Sequence, residues 1–177
     1  MKVVISTHFD IAHPVMFIKM GENKLNGLVD NFAGVFTSYT AGRNKNIPVY
    51  FTNYEELDYD GAIDVATKID KETFVIVVDT VKETDLHGET ASIANIYNFD
   101  INLIKQKLSG KVYYFDTPFE PKEDETFIYG QRFHFKTLYF GIPTPGDYHD
   151  INNYCSLEKI DAATKLLEEL IEIIKTL

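Results

Sequence analysis

A three-layer α/β/α sandwich with a mostly parallel central sheet is predicted by three features of the 177-residue sequence. Short apolar runs rich in β-branched and aromatic residues alternate with stretches of helical periodicity, the order that builds a parallel sheet with covering helices. The runs VYF and FVIVV are apolar on consecutive residues, as strands covered on both faces are. The chain closes on a long amphipathic helix, and no repeat, low-complexity tract or linker interrupts it, so residues 1–177 read as one domain.

The elements follow in order. Val3 to Ser6 is the first strand, and Phe32, Val35, Phe36 and Tyr39 then recur at helical steps. Ile47 to Thr52 is a second strand, and Ile63, Ala66 and Ile69 mark a helix within DGAIDVATKI. Phe74 to Val78 is a third strand, followed by a short helical stripe of Ile101, Ile104 and Leu108. Val112 to Phe115 and Phe135 to Ile142 are further strands of ordinary length. DTPFEPKED, Asp116 to Asp124, is a turn-rich loop, and the two prolines and two glycines of GIPTPGDYHD, Gly141 to Asp150, make that stretch irregular. Ser156 is placed to cap a final helix whose buried face is Leu157, Ile160, Ala163, Leu166, Leu167, Leu170, Ile171 and Ile174.

Charge and cysteine content narrow the function. Seventeen basic against twenty-seven acidic residues give 17 − 27 = −10, with no basic run, which argues against nucleic acid as a partner. Cys155 is the sole cysteine and can make no internal disulfide. No stretch approaches the length of a spanning helix, and MKVVISTHFD turns polar too soon for a signal peptide, so a cytoplasmic protein with no membrane partner is expected.

In open α/β sheets ligands collect at the carboxyl ends of the strands, so the polar residues that follow each run are the candidates. The first run ends in Thr7-His8-Phe9-Asp10, where His8 and Asp10 share a side if the chain stays extended. A histidine with a carboxylate beside it suits a metal ligand and its orienting group. The second run leads to Glu55 and Glu56, the third to Asp79, and the last into the loop holding His149. Asp30 precedes the Phe32 helix, where a helix N-terminus favours a carboxylate. Together they form a mixed N/O metal site in outline. Each also has a plain reading: Asp30 and Asp79 as caps, Glu55 and Glu56 as a solvated acidic turn, His149 as a loop histidine. His13, His87 and His134 read as surface or structural residues, Cys155 as a small buried hydrophobe, and the acids of PKEDE, Pro121 to Glu125, as a solvated loop that could instead attract a substrate amine. Tyr139 and Tyr148 are candidates for a pocket wall.

The pieces STHFD, GLVDNFAGV, VYFTNYEELDYDGA, VIVVD and FGIPTPGDYHD, in that order and followed by the amphipathic helix, resemble the co-catalytic di-zinc exopeptidase superfamily, chiefly its aminopeptidases. The resemblance implies the zinc-exopeptidase, phosphorylase/hydrolase-like sandwich. It implies His8 and Asp79 on one metal, Glu56 and His149 on the other, and Asp30 bridging both. Asp10 would orient His8, Glu55 would be the general base, and the Asp30–Asn31 peptide bond would be cis. The implied cofactors are two divalent ions, zinc first, with cobalt or manganese also compatible with the ligand types. The implied activity is removal of N-terminal residues from peptides through a water activated between the ions. The alternatives are a related amidohydrolase, deacylase or carboxypeptidase on a peptide or small amide, or an inactive relative serving as a binding or assembly subunit. The first strand begins almost at residue 1 and only twenty positions separate Asp10 from Asp30, so the sequence reads as a short form without the family's usual N-terminal portion and lid, and self-association into a homo-oligomer is expected.

Overall fold

A computed structural model describes residues 1–12, 17–119 and 124–177. Its main sheet has six strands: β1 (Val3–His8), β4 (Val49–Thr52), β5 (Phe74–Lys82), β6 (Ala91–Tyr97), β7 (Val112–Tyr114) and β8 (Lys136–Thr144). They lie in the order β4-β1-β5-β8-β6-β7. All neighbours are parallel except β6 against β8, so the sheet is mixed and mostly parallel. A small antiparallel sheet joins β2 (Ile18–Met20), β3 (Lys24–Gly27) and β9 (Tyr154–Ser156). The helices are α1 (Val29–Lys45), α2 (Asp60–Lys68), α3 (Asn102–Lys107) and α4 (Leu157–Lys175).

The consecutive apolar runs have the cause expected of them. Alternate side chains of each central strand enter opposite layers. Val3, Ile5, Phe74, Ile76, Val78, Leu138, Phe140 and Ile142 pack in one core with α1, α3 and α4. Val4, Val75, Val77 and Tyr139 pack in the other with α2 and a π-helical segment, Phe127–Arg132. At the last helix the Ser156 hydroxyl accepts the Lys159 N–H at 3.1 Å, and the buried stripe includes Leu166, Leu167, Leu170 and Ile171.

Four features depart from the sequence expectation. In α1 only part of the stripe meets the core: Phe32 packs against it, Phe36 and Tyr39 are exposed, and Ala33, Gly34, Thr37, Ser38, Ala41 and Gly42 are buried. Small residues bring this helix close to the sheet, and a Cβ on Gly42 would lie 2.2 Å from Val49 Cγ2. Gly141 to Thr144, expected to be irregular, continues β8 and stays paired with β5 up to Lys82. Pro143 is tolerated because the β6 rungs end at Gly141, so no partner on that side needs its missing N–H. Strand β6 went unread, since its ASIANIY opens on small residues and bends at Asn95, where φ is 44°. The three short strands of the small sheet also gave no period long enough to read; they bury Leu25 and Cys155.

Candidate metal centre

The site is assembled at the carboxyl edge of the main sheet. His8 ends β1 and is 2% exposed, and the parallel register Ser6↔Val77 carries Asp79 of β5 up beside it. Asp30 stands at the entry to α1, where Asp30 and Asn31 have non-helical backbone angles and the peptide bond between them is cis. Asn31 rather than Asp30 caps the helix, its Oδ1 accepting the Gly34 N–H at 3.0 Å. Asn31 Nδ2 donates to Thr7 Oγ1 at 2.9 Å and to the Val78 carbonyl at 2.8 Å. Asn31 thus ties the α1 entry to β1 and β5, and the Asp30 carboxylate is left for the site.

Glu55 and Glu56 lie on a tight turn after β4. The Tyr54 carbonyl accepts the N–H groups of Leu57, Asp58 and Tyr59. Tyr54 and Tyr59 flank the glutamates at φ of 62° and 63°, left-handed conformations uncommon for aromatic residues and typical of functional turns. Gly61 lets α2 start against this turn: its N–H reaches the Asn53 carbonyl, and a Cβ would lie 2.6 Å from Asn53 backbone atoms. Asp10 holds the turn to β1, its Oδ1 accepting the Glu55 N–H and its Oδ2 the Glu56 N–H, both at 3.3 Å. The same carboxylate lies 3.5 Å from His8 Nδ1.

The side chains converge on Asp30. Its Oδ1 is 3.3 Å from His8 Nε2, which is also 3.3 Å from Asp79 Oδ1. Its Oδ2 is 3.6 Å from His149 Nε2, which is 3.2 Å from Glu56 Oε1. Two donor groups, His8–Asp30–Asp79 and Asp30–Glu56–His149, therefore share one carboxylate, each with its ligand atoms within 4.8 Å of one another. Glu55 enters a third grouping with His8 and Glu56. All seven residues singled out from the sequence, His8, Asp10, Asp30, Glu55, Glu56, Asp79 and His149, come together at this one edge.

The chemistry of this donor set fits divalent cations. Donors about 2.0–2.1 Å from a tetrahedral zinc lie roughly 3.4 Å apart, close to the separations found here. The cavity, about 730 Å³, is lined by no lysine or arginine among the described residues, so its acids have only histidines to oppose them. Burial, reinforced by the Asp79 charge, pushes Glu55 up to about 10. Burial also raises Asp79 to about 7 against the opposing pull of His8, with Asp30 adding to the rise. Glu56 is raised by burial and by Asp30. At His8 burial acts to lower the pKa, but the Asp79 charge and the contacts with Asp10, Asp30 and Asp79 hold it well above the usual value. At Asp10 burial is outweighed by His8 and by the two N–H groups, and its pKa is lowered. Acids held this close favour a bound cation as the compensating charge.

The remaining sequence candidates are spread more widely. His87 and His134 are exposed, and Cys155 is fully buried, its thiol pushed up to about 11 by burial. His13 lies outside the described residues, as do Pro121, Lys122 and Glu123. The expectation of a solvated acidic loop fails for Asp124 and Glu125, which are 2% and 1% exposed. Asp124 accepts from Asn95 and Thr126, and Glu125 Oε2 accepts the Ser6 hydroxyl at 2.6 Å, next to the Tyr129 hydroxyl. Ser6 points to the same side of β1 as His8, so Glu125 forms part of the floor under the site. Tyr139 and Tyr148 line the cavity; so do Leu57, Tyr59, Thr80, Asp85 and Phe119, which sequence reasoning missed. For Thr80 and Asp85 a signal was present, since TVKETD directly follows Asp79.

No family model and no curated protein matches the chain. Solved structures do. The TET aminopeptidase from the marine sediment archaeon Thaumarchaeota archaeon SCGC AB-539-E09 matches with a TM-score of 0.65 and 18% identity, over 90% of this chain and 54% of that one. The TET1 peptidase of Pyrococcus horikoshii, which can assemble into a tetrahedron or a large octahedral shell, matches at 0.63 and 17%, over 87% and 52%. Yeast aminopeptidase 1 (Ape1) matches at 0.59 and 13%, over 87% and 47%. The chain spans about half the length of these structures. The chain thus has the fold of these aminopeptidases.

Proposed function

We propose that residues 1–177 form a catalytic domain that hydrolyses peptides from the N-terminus with the help of two divalent ions. The observation that carries this reading is the Asp30 carboxylate, with one oxygen 3.3 Å from His8 and the other 3.6 Å from His149. His8 and Asp79 would hold one ion, Glu56 and His149 the other, and Asp30 both. Zinc suits the mixed imidazole and carboxylate set, and cobalt or manganese are compatible with it. Bound ions would supply Lewis acidity, which lowers the pKa of a water and polarises a scissile carbonyl.

The chain's own residues do the rest. Asp10 faces His8 Nδ1 and leaves Nε2 turned toward Asp30 and Asp79. By accepting the N–H groups of Glu55 and Glu56, Asp10 also sets the orientation of both glutamates. Glu55 takes the proton of the attacking water and returns it to the leaving amine. Its burial keeps bulk water from competing for that proton and keeps its proton affinity high. Tyr139, Tyr148 and Phe119 give the substrate an apolar wall. The assembly of the Pyrococcus TET1 peptidase, and the exposure of Phe9, Phe51, Tyr54 and Leu57 near the site, support self-association of this chain.

The test is zinc titration followed by a panel of aminoacyl amides, N-acyl amino acids and C-terminally free dipeptides. Two bound ions with turnover on free-amine substrates is the expected result. Turnover confined to N-acyl or carboxypeptidase substrates would move the reading to those hydrolases. Metal binding without turnover on any of them would make the chain a binding or assembly subunit.

A further inference from the structure

We infer that this site takes substrates with a cationic side chain at the N-terminal residue, lysine or arginine, and that Asp85 reads the charge. This rests on the hydrolase reading above and adds the substrate class to it. Strands β5 and β8 remain paired from Asp79↔Gly141 to Lys82↔Thr144, three residues beyond the candidate ligand. At about 3.3 Å per residue the pair rises roughly 10 Å past the metal centre as a wall. The turn Glu83–Asp85 finishes that wall and brings Asp85 into the cavity lining, together with Phe119, Tyr139 and Tyr148.

The wall is braced to the loop that carries His149. The Lys82 N–H donates to the Tyr148 hydroxyl at 3.3 Å, and Lys82 Nζ lies 2.7 Å from Asp147 and 5.3 Å from the Tyr148 ring centre. That pairing engages Lys82 directly with Asp147. Glu83 is likewise committed to Lys159, at 2.5 Å. Asp85 differs: among the described residues no lysine, arginine or histidine nitrogen lies within 4 Å of its carboxylate, which accepts the Thr84 hydroxyl at 3.5 Å and acts on Lys82 only through its charge.

The acids of the cavity can then be sorted by task. Asp30, Glu56 and Asp79 would face the ions and Glu55 the reacting water, which leaves Asp85, among the described residues, as the one lining carboxylate with no role in the metal centre. Phe119, Tyr139 and Tyr148 line the same cavity with aromatic faces. Such faces suit both the methylene stem of lysine or arginine and the cation at its end. An acidic side chain would meet Asp85 with no lining lysine or arginine among the described residues to receive it.

The experiment measures binding of lysinamide, norleucinamide and glutamic acid α-amide to the zinc-loaded full chain by calorimetry, alongside kcat/KM on the matching p-nitroanilides. Norleucine keeps the stem of lysine and lacks the charge. A partly exposed ion pair contributes up to about 1 kcal/mol, so lysine should exceed norleucine about fivefold in both readouts. Asp85→Asn should bring the ratio to about one, and Asp85→Lys should place the glutamate compound above norleucine, with melting curves confirming that both variants fold. A ratio near one in the wild type, or one unchanged by Asp85→Asn, would overturn the inference. Selective lysinamide binding without turnover would leave the ligand class standing and remove the hydrolase reading. Turnover without selectivity would do the reverse.

Discussion

Replacing Asp10 separates the two structural tasks of this site, because one carboxylate both faces His8 and holds the glutamate turn. Asp10→Ala removes the acceptor of two backbone N–H groups, each 3.3 Å away, and the partner 3.5 Å from His8 Nδ1. A hydrogen bond to a charged group contributes about 1.5–3 kcal/mol. These two are long and only partly buried, so together they should contribute about 2 kcal/mol, seen as a fall of several degrees in melting temperature. Removing the group that orients a metal-binding histidine typically costs 10- to 100-fold in affinity, about 1.4–2.7 kcal/mol. Zinc titration of wild type, Asp10→Ala and Asp10→Asn, paired with melting curves of the same proteins, measures both terms. The lowered Asp10 pKa adds a sign: its contribution is present above the ordinary aspartate range and is lost as pH falls through the depressed value. The melting difference between wild type and Asp10→Ala should therefore shrink below about pH 4. Unchanged zinc affinity in a destabilised Asp10→Ala would refute the orienting role and leave Asp10 as a turn anchor alone.

The adjacent glutamates should separate in the same assays: Glu55→Gln keeps both ions while turnover falls about 10²–10⁴-fold, whereas Glu56→Gln loses occupancy of one ion. Metal-free protein should lose stability as pH rises from about 5 to 9 in urea titrations, because the raised pKa values of Asp79, about 7, and Glu55, about 10, favour folding with these acids protonated; bound zinc should flatten that slope. Gly42→Ala should destabilise the fold by about 1–3 kcal/mol through the clash with Val49, while Phe36→Ser on the exposed side of the same helix should stay within about 0.5 kcal/mol, both read from urea midpoints.

Where the sequence was legible, the signal was local. FVIVV reads as a doubly covered strand because both faces of β5 meet helices, and the Ser156 cap and stripe of α4 lie within one element. The site residues were legible for a related reason: each stands just past an apolar run, and parallel strands bring those ends to one edge. What stayed hidden depends on partners far along the chain. Glu125 is buried because Ser6, 119 residues away, donates to it, and nothing in PKEDE distinguishes such an acid from a solvated one. The α1 stripe misled because aromatic residues usually mark the buried face, whereas this helix packs through glycine, alanine, serine and threonine and leaves Phe36 and Tyr39 outside. Strand β6 runs antiparallel to β8 and carries its bend at Asn95, neither of which an apolar count along the chain can show.

The central claim, two ions sharing Asp30, is tested most directly by metal content together with anomalous scattering from crystals grown with zinc. The expected result is two zinc peaks per chain, one against His8 and Asp79, the other against Glu56 and His149, each within about 2.0–2.2 Å of an Asp30 oxygen. A single peak, or two peaks that leave Asp30 without a metal, would contradict it.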